Sequence, residues 1–194
     1  WTYIAKPYDS EYKSIRKTRE NLWESRDPED AAEKFPESYR YEKTLLYHLT
    51  KNEGDYKGAI KRLPEGLQEL FIHAYQSWVF NRVLSNLLEE EWYDESYEIP
   101  LVGYKTDLKD NKPENMIKEI LEEEGVQQED FRLQDFPELR SEGTFRRAFA
   151  DFRNFEILDI DEDDLNMTQN KMTVKFDLPK GCYATVLLRE VMKN

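Results

Sequence analysis

The stretch His73-Ala74-Tyr75-Gln76-Ser77-Trp78-Val79-Phe80-Asn81 decides how the rest of this chain is read. It lies in a long run that starts at Pro64 and continues to about Glu91. Leu67, Leu70, Phe71, Ala74 and Trp78, together with Ile72, Tyr75, Val79 and Val83, would cover nearly all sides of a helix. A helix that is apolar all round is usually central to its fold. Inside that run His73, Ser77 and Asn81 recur every fourth residue, with Gln76 beside them, so helical geometry gathers them into one polar stripe. Polar groups in an apolar setting are costly without partners. The stripe therefore faces another polar element, a ligand, or a hydrogen-bonded core.

Upstream of this helix the pattern is helical throughout. Residues 9–26 read as a charge-rich helix. Asp27-Pro28-Glu29-Asp30 is a start signal, with Asp27 as N-cap and Pro28 at the first helical position. It opens a short helix that ends before Pro36. Residues 38–51 form the next helix, with Tyr41, Leu45, Leu46 and Leu49 at near-helical spacing. Asn52-Glu53-Gly54-Asp55 is a turn, and residues 55–62 make a short helix.

Downstream, a break is expected from Trp92 to Pro100. Residues 113–124 form a helix that Gly125 stops. Its Glu119, Glu122, Glu123 and Glu124 read as a solvated face, not a metal site, because the run lacks His and has no partner cluster. After Gly143 the period changes. Residues 145–162 and 170–178 read as strands, with Val174, Phe176 and Leu178 alternating with Lys175 and Asp177. Asp159, Asp161, Glu162, Asp163 and Asp164 look like an acidic turn; the Gly and closing Glu of a calcium loop are missing. Ala184, Leu187, Leu188 and Val191 then predict a closing helix. No internal repeat or low-complexity segment is present.

The 194 residues suffice for one large domain or two small ones, and 39% hydrophobic with 13% aromatic residues can fill a core. A mean hydropathy of -0.88 and the lack of any apolar run near 20 residues exclude a membrane-spanning helix. Nothing at the N-terminus resembles a signal peptide. The single Cys182 excludes an internal disulfide and a multi-Cys zinc site, so a cytoplasmic protein is the simple expectation. The net charge is -13 and argues by itself against nucleic acid. It is uneven, however. Residues 86–142 hold 18 acidic and 6 basic residues, whereas residues 171–194 hold 5 basic and 2 acidic and residues 1–26 hold 6 basic and 4 acidic. Both ends could face RNA.

Four blocks resemble the TruD family of tRNA pseudouridine synthases, in the family's order. The first is Leu63-Pro64 followed by Leu70-Phe71-Ile72-His73-Ala74-Tyr75-Gln76-Ser77-Trp78-Val79-Phe80-Asn81. The second is Pro100-Leu101-Val102-Gly103-Tyr104-Lys105-Thr106, then Ile120-Leu121-Glu122-Glu123-Glu124-Gly125-Val126 and Glu129-Asp130-Phe131, archaeal in style. The third is Gly143-Thr144-Phe145-Arg146-Arg147. The fourth runs from Phe176-Asp177-Leu178-Pro179-Lys180-Gly181-Cys182-Tyr183-Ala184-Thr185 to Val186-Leu187-Leu188-Arg189-Glu190. The blocks cover about residues 63–193; the upstream helices fit the family's helical insertion region only loosely.

The resemblance implies isomerisation of a uridine in tRNA to pseudouridine, at position 13, with tRNA as partner and with no metal or organic cofactor. An aspartate attacks or activates the nucleotide, the glycosidic bond breaks, and the base rejoins through carbon. The target base must leave its stack, which favours aromatic walls and polar edge contacts. The family's Gly-x-Lys-Asp motif with the catalytic aspartate is absent here, as is Asn-Tyr-Phe-Gly-x-Gln-Arg-Phe, so no catalytic Asp is assigned. Thr106-Asp107-Leu108-Lys109-Asp110 is a partial echo in the wrong place. The join from Ser85 to Pro100 is shorter than the family's. A chain that opens on Trp1 without these motifs is expected to be the C-terminal portion of a synthase, inactive alone.

The candidate substrate- or RNA-binding residues are Lys180, Arg189, Arg146, Arg147, His73, Gln76, Tyr183 and Phe176. Lys180 sits in a loop before a helix N-terminus, where N–H groups and positive charge suit an anion; the resemblance puts this turn near the active-site cleft. Arg189 either pairs locally with Glu190 or positions a carboxylate in the assembled enzyme. Arg146 and Arg147 either grip phosphate or solvate a strand start. Tyr183 and Phe176 are core residues or base-stacking platforms, and His73 is a structural histidine or an RNA contact. His48 is the only other His, so a two-His metal site would need both to converge. Cys182 reads as a small filler.

The expected class is α+β: a helical, insertion-like region over residues 1–92, an acidic helical connector over 93–142, and a strand-helix segment over 143–194 that completes a catalytic domain. The rival expectation is a non-catalytic RNA-binding or protein-interaction domain.

Overall fold

A computed structural model describes residues 1–192 except 93, 95 and 167. Tyr93 and Glu95, inside the expected break, and the last two residues of the expected C-terminal segment lie outside the described residues. The secondary structure in chain order is α1 (Thr2–Ala5), α2 (Lys13–Ser25), α3 (Pro28–Lys34), α4 (Arg40–Lys51), α5 (Tyr56–Ile60), α6 (Glu65–Glu89), β1 (Glu98–Leu101), α7 (Lys112–Glu123), β2 (Thr144–Arg147), β3 (Arg153–Glu162), β4 (Asn170–Asp177) and α8 (Ala184–Met192). Short 3-10 turns at Gln128–Arg132 and Pro137–Leu139 lie between α7 and β2.

The Asp27-Pro28 start signal acts as expected. Asp27 Oδ1 accepts the backbone N–H groups of Glu29 and Asp30 at 3.0 and 3.1 Å, with Pro28 on the first turn of α3. Asn111 Oδ1 caps α7 by accepting from Glu114 N at 3.1 Å, and Gly125 follows its end at φ 65°. Such caps satisfy N–H groups that a helix terminus otherwise leaves open.

α6 is the spine, and it serves two cores. In its first half Leu67 and Phe71 lean on a cluster built from Ile4, Ile15, Leu22, Ala31, Phe35, Leu45, Leu46 and Leu49. In its second half Val79, Val83 and Leu87, spaced by four, bury into a cluster with Ile99, Val102, Ile117, Ile120 and Phe131. Full burial of a side chain such as Leu46 or Ile99 contributes roughly 1.5–3 kcal/mol. α6 is not enclosed on every side, however. Leu70, His73, Ala74, Trp78, Asn81, Ser85 and Leu88 form one exposed face. The sequence pattern hides this face because Leu70 and Trp78 are apolar.

Arg19 is the polar centre of the first cluster. Its guanidinium donates to the carbonyls of Tyr3 and Ile4 at 3.0 and 2.7 Å, to Glu11 at 2.8 Å and to Glu42 at 3.0 Å, at 3% exposure. Arginine's planar fork suits this site, since each N–H direction finds an oxygen.

β1 is the element that the sequence pattern conceals: Pro100 lies within the expected break, and proline demotes a strand. It pairs antiparallel with β2, Ile99 opposite Arg146 and Pro100 opposite Phe145. Both are edge strands of a two-stranded ribbon, where a missing N–H is tolerated. The expected strand over 145–162 is split, with β2 ending at Arg147 and β3 starting at Arg153. Asp159, Asp161 and Glu162 lie in β3, so only Asp163 and Asp164 belong to the acidic turn. There Asp163 accepts from Leu165 N and Asn166 Nδ2, both at 2.8 Å, which holds its carboxyl below the usual range.

β3 and β4 form a long hairpin with two register shifts. It contributes no buried residue, and neither does α8. Ile157, Leu158, Ile160 and Met172 are exposed on it, Ile160 at 60%.

Candidate RNA-facing surface

The expected site residues fall into three places. On α6, His73 is exposed and Ser77 half-buried, while Gln76 points inward at 4% exposure. One turn of helix separates those environments. Gln76 Nε2 donates to Val102 O and to Ser141 Oγ, both at 2.7 Å. Its amide nitrogen is thus committed to the core, joining α6 to the end of β1 and the start of β2. Beside the stripe, Trp78 stacks on Tyr75 with ring centroids 5.7 Å apart. Arg82 covers Trp78 at 5.1 Å and pairs with Glu123 at 2.9 Å. Burial, then Glu124, pushes the Tyr75 phenol up.

The second place is the β1–β2 ribbon. Gly103 and Gly143 meet backbone to backbone, and Gly143 adopts φ 91°. Thr106 Oγ1 accepts from Gly103 N at 2.9 Å, and Gln128 Nε2 donates to the carbonyls of Gly103 and Thr106 at 2.9 and 2.5 Å. Lys105 and Tyr104 both donate to Glu142 Oε1, at 2.6 and 3.0 Å, and hold that carboxyl below its ordinary range. This framework sets the direction of β2. Arg146 turns toward α6 and lies over the Phe80 ring at 5.5 Å; Arg147 is exposed. The structure therefore brings Arg146 and Gln76 to one helix.

The third place is the hairpin end and α8. Phe176 is half-buried and stacks on Phe155, with ring centroids 6.0 Å apart and planes 13° apart. Lys180 is exposed beside Gly181, whose φ is 89°, and Tyr183 is 65% exposed. Cys182 is half-buried. Arg189 is exposed, and among the described residues no ion pair joins it to Glu190, so the local-pair reading of Arg189 is corrected. No hydrogen bond, ion pair or ring contact among the described residues links residues 153–192 to the helical body. Among the described residues, Lys180, Tyr183 and Arg189 make no hydrogen bond, ion pair or ring contact with His73, Gln76 or Arg146.

The sequence reading leaves out Phe145, Phe152 and Arg153. The signal that marks them is the interleaving of four Phe and three Arg over residues 145–155. Among the described residues no helix is long and apolar enough to cross a membrane.

Comparison with known proteins puts this architecture in a family. The model of the family described as tRNA pseudouridine synthase D (TruD) matches residues 1–98 and 94–191. The chain is 30% identical, over 98% of its length, to a Methanosarcina acetivorans protein named "probable tRNA pseudouridine synthase D", of which it covers 52%. An Archaeoglobus fulgidus protein of the same name is 31% identical over 100% of the chain, which covers 54% of that protein. A crystal structure assigned to tRNA pseudouridine synthase D from Methanosarcina mazei superposes with a TM-score of 0.83 at 28% identity, covering 100% of this chain and 53% of that one.

The chain belongs to the TruD family. It spans about half the length of the relatives it matches. The match extends upstream of the four blocks to residue 1, so the first helices belong to the family pattern as well. The two matched stretches meet at residues 94–98, inside the short join from Ser85 to Pro100.

Proposed function

We propose that this chain is a working part of a cytoplasmic tRNA pseudouridine synthase that isomerises uridine 13 and draws its catalytic aspartate from residues beyond these 194. The observation that carries the reading is the superposition of the whole chain on half of a TruD-family structure, 0.83 in TM-score. The surface supports it. Ile157, Leu158 and Ile160 on β3, with Val186, Val191 and Met192 on α8, are exposed apolar groups on a two-stranded hairpin and a short helix. A hairpin of two strands needs further strands or a packed face to be stable. In this reading the hairpin and α8 complete a catalytic domain, and the helical region ahead of them grips tRNA. His73, Arg146, Arg147, Lys180, Tyr183, Phe176 and Arg189 then contact RNA or position the catalytic carboxylate, whereas Gln76 acts through the core.

Tritium release from tRNA labelled at uridine C5 tests the reading. It is measured with the native gene product that contains these residues and with the 194-residue chain alone. Release by the native product and none by the isolated chain is expected. A native product that binds tRNA but releases no tritium would leave an RNA-binding domain and overturn the enzyme.

A further inference from the structure

The segment Phe145-Arg146-Arg147-Ala148-Phe149-Ala150-Asp151-Phe152-Arg153-Asn154-Phe155 alternates aromatic and cationic side chains, with one acid among them. It carries three arginines against one acid, between the acidic 86–142 stretch and the acidic run that starts at Glu156. Its arginines are not spent on internal ion pairs. Among the described residues, Arg147 and Arg153 have no salt bridge. Glu98 stands opposite Arg147 in the ladder without pairing to it. Among the described residues neither Asp151 nor Glu156 pairs with these arginines, and two other acids are held elsewhere: Glu142 by Lys105 and Tyr104, and Asp177, opposite Arg153 in the ladder, by Asn154 Nδ2 at 2.6 Å.

The aromatic groups are placed for contact. Phe145 is 54% exposed and Phe152 50% exposed, although a protein of this composition has cores in which to bury them. Phe152 meets Phe155 edge-on at 6.0 Å, and Phe155 stacks on Phe176, so Phe152 is backed by a row of rings. Asn154, at φ 52°, and its bond to Asp177 mark the register shift at the start of β3, between Phe152 and Phe155.

Exposed rings beside unpaired arginines match unpaired RNA better than a duplex. Bases stack on aromatic faces irrespective of sequence, and guanidinium groups follow the phosphates. We infer that residues 145–155 form a track for an unpaired RNA strand, with Phe145 and Phe152 stacking bases and Arg147 and Arg153 holding phosphates. This rests on the tRNA-synthase reading and adds which form of RNA is held, and by which side chains.

The test uses the native gene product with three probes: its tRNA, an oligouridylate and an RNA duplex. Phe145→Ala and Phe152→Ala are each expected to weaken oligouridylate binding roughly 5- to 150-fold. Their salt dependence should be unchanged, and Phe145→Trp and Phe152→Trp should stay close to wild type. Arg147→Ala and Arg153→Ala should each lower the salt slope by about one. Both Phe residues are half exposed, so the variants fold. Phe→Ala variants that bind oligouridylate as wild type does, while wild type binds tRNA, would overturn the track and leave the synthase reading intact. Equal losses on the duplex would also overturn it, as would contacts made only to another protein segment. A wild-type product that binds no RNA would overturn both.

Discussion

A Cβ atom on Gly103 would lie 2.2 Å from the backbone nitrogen of Gly143, so these two glycines meet backbone to backbone where the chain leaves β1 and enters β2. A Cβ on Gly143 would in turn meet Thr106 Oγ1 at 2.2 Å, and Gly143 sits at φ 91°. Gly103→Ala and Gly143→Ala should therefore each cost about 2 kcal/mol or more, from clash and, at Gly143, from left-handed strain. Urea unfolding should show the midpoint falling with an unchanged slope.

Gln76 was open to two readings from sequence, core or RNA. Its bonds to Val102 O and Ser141 Oγ predict that Gln76→Ala lowers stability by roughly 1–3 kcal/mol, because a buried carbonyl loses its donor. An RNA-contact residue would give the opposite result: tRNA affinity lost at unchanged stability. Denaturation and tRNA titration of the same variant distinguish the two.

Removing Arg19 strands Glu11 and Glu42, whose side chains are 12% and 11% exposed. Arg19→Met should destabilise by roughly 3–5 kcal/mol. Arg19→Lys should recover little of that, since one ammonium cannot serve four separate acceptors. Thermal unfolding of the two variants checks the ranking.

Asp55 accepts from His48 Nε2 at 2.9 Å and from Gly58 N at 2.9 Å, and the His48 bond leads the interactions that lower its pKa. A carboxyl depressed in the folded state adds stability that is complete above its unfolded pKa and is lost as pH falls through the folded one. The gap in thermal midpoint between wild type and Asp55→Asn should thus be largest near neutrality and close in acid. A gap that widens in acid would contradict this assignment.

Ile160 is 60% exposed on β3. Ile160→Lys should change the stability of the 194-residue chain by less than about 0.5 kcal/mol, as surface substitutions do. In the native gene product the same change should destabilise by several times that amount, if β3 is covered there as proposed. Parallel denaturant curves for the two proteins make the comparison.

Much of the fold is legible along the chain because its signals are local. Asp27-Pro28 announces a helix start through groups within three residues, and Gly125 a stop. β1 is not legible, since Pro100 masks a strand whose partner lies more than 40 residues away at Phe145. The exposed face of α6 is not legible either, because Leu70 and Trp78 look like core residues in a pattern that records hydrophobicity and not neighbours.

The candidate site divides in the same way. The sequence by itself determined the residue types and the family: the blocks around His73–Asn81 and Phe176–Glu190 are contiguous, and contiguous side-chain order needs no fold to be read. Only the tertiary structure decided direction. It turned Gln76 into the core toward Ser141 and His73 outward, and laid Arg146 on Phe80 while leaving Arg147 free. The physical reason is that a side chain's partners depend on contacts between residues distant in sequence. Their distances and packing are set by the collapse of the whole chain and not by the order of its neighbours.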